Sequence, residues 1–437
     1  MRWLLIALIV FLVASAVFGF DPGPLPGIKI KNALLYLIVL GLLLRVSMDR
    51  SYRIQLPGVP ILFGLMIGYA LLTYVVLVLA IHYPRYDPII AGFTLKNSLF
   101  DQLMFFLVFF YGLRTNEEAL TVLKILLSAW ALSHLVAVLD ATGYVHVGDI
   151  EQRSDGRVQG AIGESNAYGA FVALSLPPTV AMIMMTRGLR RMFWVVASVI
   201  TAATLVMTVS RGALVATAFA SMAGFWIFRR YMNMRRLFTW AICGSVAAVL
   251  AGIVVVSLGF GHLIYTRIVG QATTGDMTTT SSGRLDIWAS VLETMFGTPI
   301  SLLTGFGWYS YVTFPFRYVT HNHYLDQFFN LGLVGLFCSM LLFVVTVRTA
   351  NRAASYADPD VRPALISFGI GTIAIATAVC FVNLYMPWLY YWCYAGIAMR
   401  LAANALEPPA YAVAPVATTP VQRQRPARDP HGWTAAS

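Results

Sequence analysis

Charge is what this chain lacks most. Asp, Glu, Lys and Arg make up 11% of its 437 residues, against about 25% in a soluble domain. So little charge excludes an ordinary water-soluble fold. No polar stretch is long enough to hold a soluble nucleotide-binding domain. Cysteine is scarce too. Cys243, Cys338, Cys380 and Cys393 have no CxxC spacing, which leaves neither a disulfide framework nor a thiolate metal site to assign. Small apolar packing is their expected role. Acidic residues number 19, and the candidates Asp276, Asp286 and Glu293 form neither a DxD pair nor a metal cluster. No metal and no cofactor are expected. The short alternating segments of a membrane barrel are missing as well.

What the chain has is apolar sequence, 59% of its residues. Runs of roughly 18 residues or more recur along it, each long enough to cross a hydrocarbon core of ~30 Å. The expected fold is all-α: a polytopic integral membrane protein of about twelve transmembrane helices. They start near Trp3, Leu34, Pro60, Leu99, Leu120, Asn166, Phe193, Ala213, Leu237, Tyr324, Leu365 and Trp388. The first run resembles a signal peptide but spans Trp3 to Phe20, so an uncleaved helix is expected. With the N-terminus in the cytoplasm, 20 of the 30 Lys and Arg fall inside. This bias alternates in phase with the spans, so both ends are expected in the cytoplasm. The +11 net charge is then a topology signal. No basic face is interleaved with aromatics in a folded domain, so no nucleic-acid partner is expected. The membrane domain covers 1–405. A Pro-, Ala-, Thr- and Arg-rich segment, 406–437, reads as a disordered cytoplasmic tail.

Three segments on the opposite side carry the candidate chemistry. The first, about 141–165, includes Arg157 in a Gly-rich turn ahead of Asn166. The second is the short turn Ser210-Arg211-Gly212 between two spans. The third is the long loop 260–323. Its early part, from Gln271 to Gly283, is rich in Thr, Ser and Gly and reads as mobile. From Arg284 an interfacial helix is expected, with Ser282 as its N-cap and Leu285, Trp288, Val291, Leu292 and Met295 at helical spacing. A Gly305-Phe306-Gly307 turn follows, and His321-Asn322 closes the loop. Asp101 and Asp140 are the main charges assigned to the spans, both near expected span ends.

Arg211 has almost no loop in which to reach water, so its charge marks a functional site unless it is simply paired or snorkelling. Arg157 reads equally well as an ordinary loop arginine. His321 is either an interfacial anchor or a group that exchanges protons near neutral pH. Guanidinium holds phosphate bidentately at any relevant pH. Outward arginines and a histidine at a membrane cavity suit a lipid-linked diphosphate donor. The arginines stabilise the departing diphosphate, and the histidine deprotonates an acceptor hydroxyl.

Three motifs carry a resemblance. Ser210-Arg211-Gly212-Ala213, then Arg284-Leu-Asp-Ile-Trp288 with Gly305-Phe-Gly307, then His321-Asn322 followed by Gly332-Leu-Val-Gly335 are similar to the signatures of the O-antigen ligase and O-antigen polymerase superfamily. Arg157 to Asn166 resembles a family stretch more loosely. Together they cover about 150–340. The resemblance implies a glycosyltransferase of the bacterial inner membrane with its site facing the periplasm and an undecaprenyl-diphosphate-linked glycan as donor. It implies His321 as catalytic base, with Arg211 and Arg284, and more loosely Arg157, on the diphosphate. Asn322, Ser210, Gly212, Asn166, Gly305, Gly307, Gly332 and Gly335 would support them. His323 either substitutes for His321 or caps the helix. The leading expectation is a ligase acting on lipid A-core. Next is a polymerase using a second polyprenyl-linked glycan, then a protein-glycosylating relative. A transporter is a different class, disfavoured because no internal repeat is visible.

Overall fold

The computed structural model describes residues 1–18, 29–48, 58–145, 156–231, 249, 251–253, 255–266, 283–315, 320–383 and 387–407. Among these residues there is no strand. The chain opens with α1 (Arg2–Phe18), α2 (Ile30–Met48), α3 (Gly58–Ile81), α4 (Pro88–Gly112) and α5 (Asn116–Ala141). Next come α6 (Ser165–Met185), α7 (Gly188–Met207), α8 (Arg211–Tyr231) and α9 (Ala251–Ile264). The remainder holds α10 (Arg284–Gly297), α11 (Pro299–Thr304), α12 (His323–Tyr356), α13 (Arg362–Ala378) and α14 (Pro387–Leu406). Eight of them, α2 to α8 and α12, are long and apolar enough to cross a membrane, while α1, α9 and α13 are apolar but shorter. The chain is an all-α polytopic membrane protein.

Most helices begin near the positions expected from hydropathy. The span expected near Leu237 lies outside the described residues, as do the Thr-rich stretch up to Ser282 and the tail from 408. The span expected near Leu99 needs correction. It starts at Pro88, where the Asp87 carboxylate accepts from the amides of Ile89 at 2.9 Å and Ile90 at 3.1 Å. Lys96, Asn97 and Ser98 read as the end of a loop, yet they form a π-turn, Lys96–Phe100, inside the helix. Asp101 therefore lies well inside α4, and it is buried.

At the centre of the bundle, α6 packs against α7, α8 and α13. Of its most apolar stretch 72% is buried, against 17% for α2, so α6 is core and α2 is periphery. Helices gain little hydrophobic drive against one another in lipid, and small residues let them approach closely. A Cβ on Gly371 of α13 would stand 2.8 Å from the Leu174 carbonyl oxygen of α6. One on Gly396 of α14 would stand 2.6 Å from the Phe106 carbonyl oxygen of α4.

The long helix α12 is interrupted at Gly332, which has φ 62° and ψ −156°. A break in a buried helix frees backbone carbonyls, each costing several kcal/mol if left unmatched in an apolar setting. The Gly-x-Gly turn matches two of them: Phe306 N donates to Phe329 O and Gly307 N to Asn330 O, both at 2.9 Å. The junction leaves no room for side chains. A Cβ on Gly332 would sit 2.2 Å from Leu303 O, and one on Gly305 would sit 2.4 Å from Asn330 O. Val291 and Met295 of α10 pack on Phe329, and the rings of Phe306 and Phe314 lie 4.9 and 5.1 Å from it. The loop helices thus dock on the first half of α12 and carry Arg284 with them.

Candidate functional site

Four helix starts meet at one end of the bundle, and each brings one polar side chain. At the first, Glu164 caps α6, its carboxylate accepting from Asn166 N at 3.1 Å and Ala167 N at 2.7 Å.

At the second, Arg211 opens α8 directly after the turn from α7. Val209 in that turn has φ 46°, a left-handed conformation that costs a β-branched residue roughly 1–2 kcal/mol. Neighbouring contacts hold it. Arg157 Nε donates to Thr208 O at 2.8 Å, Val158 N donates to Met207 O at 3.2 Å, and Ser210 Oγ accepts from Ala213 N at 3.4 Å. A Cβ on Gly212 would come 2.8 Å from the Phe381 side chain, so glycine lets α8 close on that residue.

At the third, Arg284 opens α10. The expected cap, Ser282, lies outside the described residues. Gly283 takes the cap position at φ 74° and supplies no side-chain bond. Trp288 Nε1 donates to Thr320 O at 2.7 Å, tying this helix to the residue before His321.

At the fourth, Asn322 caps α12, its Oδ1 accepting from Leu325 N at 3.1 Å. Thr320 brackets the turn, its hydroxyl donating to Asn322 O at 2.8 Å and accepting from Asn322 N at 3.2 Å. Between them His321 is held at φ 50°, a conformation that non-glycine residues keep mainly where surrounding structure imposes it.

Charge couples these four positions. Burial lowers the His321 pKa below its ordinary value, the Arg284 cation lowers it further, and the Glu164 carboxylate partly opposes them. Burial also lowers Arg284, with Glu164 opposing and Arg211 reinforcing. Two arginines at helix N-termini are placed against the dipole preference, which favours anions there by about 0.3–1 kcal/mol. Helix starts and guanidinium groups both offer N–H donors and positive potential, so the cluster suits an anion with many acceptor oxygens. The depressed His321 is neutral near pH 7 and able to accept a proton.

Of the residues singled out in the sequence, Arg211, Arg284 and His321 come together. Arg157 and Asn166 lie beneath them. Arg157 is buried, and its guanidinium also donates to Asn166 Oδ1 at 2.9 Å, so it braces the Arg211 turn. His323 diverges from His321. It is buried, its backbone N donates to Val379 O at 2.9 Å, and its side chain lines a recess with Asp326, Gln327 and Asn330. Sequence reasoning passed over Glu164, although an acid directly ahead of an apolar helix is a cap signal. Among the described residues no group of His, Cys, Asp and Glu is arranged to hold a metal ion.

Residues 196–340 match the family model described as O-antigen ligase. That segment contains Arg211, Arg284, the Gly-x-Gly turn, His321 and the α12 break, while Arg157, Glu164 and Asn166 precede it. No curated protein matches the chain.

Proposed function

We propose that the chain, whose residues 196–340 match the O-antigen ligase model, is a membrane enzyme of O-antigen or related polysaccharide biosynthesis that transfers a glycan from undecaprenyl diphosphate to a sugar hydroxyl. One observation carries this reading: Arg211 and His321, far apart in sequence, both lie within electrostatic reach of Arg284, and all three stand at helix starts. In the proposed step the acceptor oxygen bonds to the anomeric carbon of the donor glycan. The bond from that carbon to the diphosphate oxygen breaks, and the electron pair leaves with the diphosphate. Arg211 and Arg284 hold the departing charge, an electrostatic contribution that grows in the transition state. The acceptor proton passes to neutral His321, a contribution of about 10²–10⁴-fold in rate. Glu164 limits how far Arg284 depresses His321. No metal has a part in this step, and the arginines take the role of charge neutralisation.

The charge bias of the loops supports a site on the periplasmic face of the bacterial inner membrane, with both termini in the cytoplasm. The leading acceptor is lipid A-core. A second polyprenyl-linked glycan would make the same site a polymerase.

The test is purified protein supplied with a polyprenyl-diphosphate-linked glycan and a panel holding both acceptors, with products scored by mass. Transfer to lipid A-core identifies a ligase, and chain extension identifies a polymerase. Unchanged donor with every acceptor, by protein that remains folded, would sink the proposal.

A further inference from the structure

A cavity of about 400 Å³ opens at the same end of the bundle, within the ~300–1,000 Å³ range of small-ligand sites. Its walls come from α2, the π-turn region of α4 and the loop before α12, and include Asn32, Asn97, Asp101, Gln102, Tyr309 and Tyr311. A narrower recess adjoins it, sharing Tyr309 and Tyr311 and adding His323, Gln327 and Asn330. The two histidines of the His321-Asn322-His323 segment therefore serve different sides: His321 sits in the field of Arg284 and Glu164, while His323 lines this recess.

Polar groups buried among apolar helices are costly unless matched. Asp101 is matched, accepting from Asn32 Nδ2 at 2.6 Å, Lys96 Nζ at 2.8 Å and the Tyr36 hydroxyl. Three amide oxygens are not: Gln102 Oε1, Gln327 Oε1 and Asn330 Oδ1 have no hydrogen-bond partner. All three residues are at most 4% exposed. The amide nitrogens of Gln102 and Asn330 donate to the carbonyls of Asn97 at 3.0 Å and Asp326 at 2.9 Å. A carbonyl partner fixes which amide atom is nitrogen, so the unmatched atoms of Gln102 and Asn330 are oxygens, which only accept.

The loop facing them is anchored. Trp308 Nε1 donates to Ala91 O at 3.2 Å, and the Tyr86 hydroxyl donates to Trp308 O at 2.9 Å. This sets the Tyr309 and Tyr311 rings 5.1 Å apart, edge to face. Burial, with the Asp326 carboxylate nearby, raises the Tyr311 phenol well above its ordinary pKa, so it keeps its proton and remains a donor.

Buried acceptors without donors, beside aromatic faces, fit a ligand with several O–H groups and a C–H face. We propose that the cavity and the recess beside it form a subsite for a sugar ring of the glycan, with hydroxyls donating to Gln102 in the cavity and to Gln327 and Asn330 in the recess, and with the C–H face resting on the tyrosines. The ligand class rests on the glycan-transfer reading above, whereas the donor–acceptor match belongs to the cavity itself. The ring belongs either to the lipid-linked donor or to the acceptor.

Binding is tested apart from catalysis. Full-length protein in detergent is mixed with free hexose, 6-deoxyhexose and N-acetylhexosamine disaccharides, and saturation-transfer NMR reads contact. The expected result is transfer to at least one disaccharide. Gln102→Met and Gln327→Met should each weaken it about tenfold or more, roughly 1.4 kcal/mol. The Gln327 amide has no intramolecular bond at its oxygen to lose, so its variant guards against misfolding at Gln102. In the transfer assay, a raised KM for acceptor alone assigns the ring to the acceptor, and a raised KM for donor alone assigns it to the donor glycan. Absence of saturation transfer in the unaltered protein, or full binding by both Gln variants, overturns the subsite. Absence of transfer activity in the unaltered protein with disaccharide binding intact would instead count against the catalytic reading.

Discussion

His321 is the residue on which the proposed chemistry turns, and its surroundings set the sign of its pH dependence. Its folded pKa lies below the ordinary value of 6.5, so the neutral, proton-accepting form persists to lower pH than in a free imidazole. The acidic limb of kcat/KM, which reports the free enzyme, should have its midpoint below 6.5. Glu164 raises the His321 pKa, so Glu164→Gln should move that acidic limb to still lower pH. A limb that does not move, or moves upward, would separate Glu164 from the base. His321→Ala should lose about 10²-fold or more in kcat with donor binding retained. The arginines answer to a different measurement. Arg211→Lys and Arg284→Lys keep the charge but lose the planar fork, and each should raise the donor KM about tenfold or more. Near-normal turnover at low donor by both would remove the diphosphate assignment.

At the scale of elements, the site depends on two backbone irregularities that other elements hold in place. Gly332 breaks α12 at a φ, ψ combination open essentially to glycine, costing other residues about 1–3 kcal/mol, and a Cβ there would strike the Leu303 carbonyl. Gly332→Ala should lower the thermal midpoint in detergent and reduce activity together, because the displaced Gly-x-Gly turn carries both Tyr309 and the docking surface of α10. An unchanged melting curve would mean that the junction is not constrained as described. The second irregularity is the turn at Val209, braced by Arg157. Arg157→Lys cannot keep both the Thr208 and the Asn166 bonds, each worth about 1.5–3 kcal/mol with a charged donor. It should raise the donor KM through Arg211 while leaving the acidic limb of His321 in place. A shifted limb would instead bring Arg157 into direct electrostatic contact with the base.

For the whole molecule, the expectation concerns topology. A twelve-span chain with both ends inside should keep a reporter fused after Ser437, active only in the periplasm, silent. Activity there would remove or add one span. The spans expected from hydropathy correspond to helices over most of the chain, and eight of them are long and apolar enough on their own. Such legibility follows from the bilayer: a segment that must satisfy its own backbone and face lipid reads as one long apolar run. Helix α4 escaped in part for a physical reason. Its Asn97, Ser98, Asp101 and Gln102 line a cavity and Lys96 pairs with Asp101, so its hydropathy broke where the helix passes that cavity.

The sequence by itself determined the all-α membrane class and marked Arg211, Arg284, His321 and the glycines at 305 and 332 as candidates. Each of these is a local property: apolar length, a charge without a loop, or a residue type that a turn demands. Only tertiary structure decided what those residues meet. It set Glu164 against His321 and Arg284, put Arg157 under the Arg211 turn, and separated His323 from His321. It also brought Gln102 of α4 to a cavity beside the recess lined by Gln327 and Asn330 of α12. Those pairings depend on how helices cross, and crossing is fixed by close contacts such as Gly371 on Leu174, which no single segment encodes.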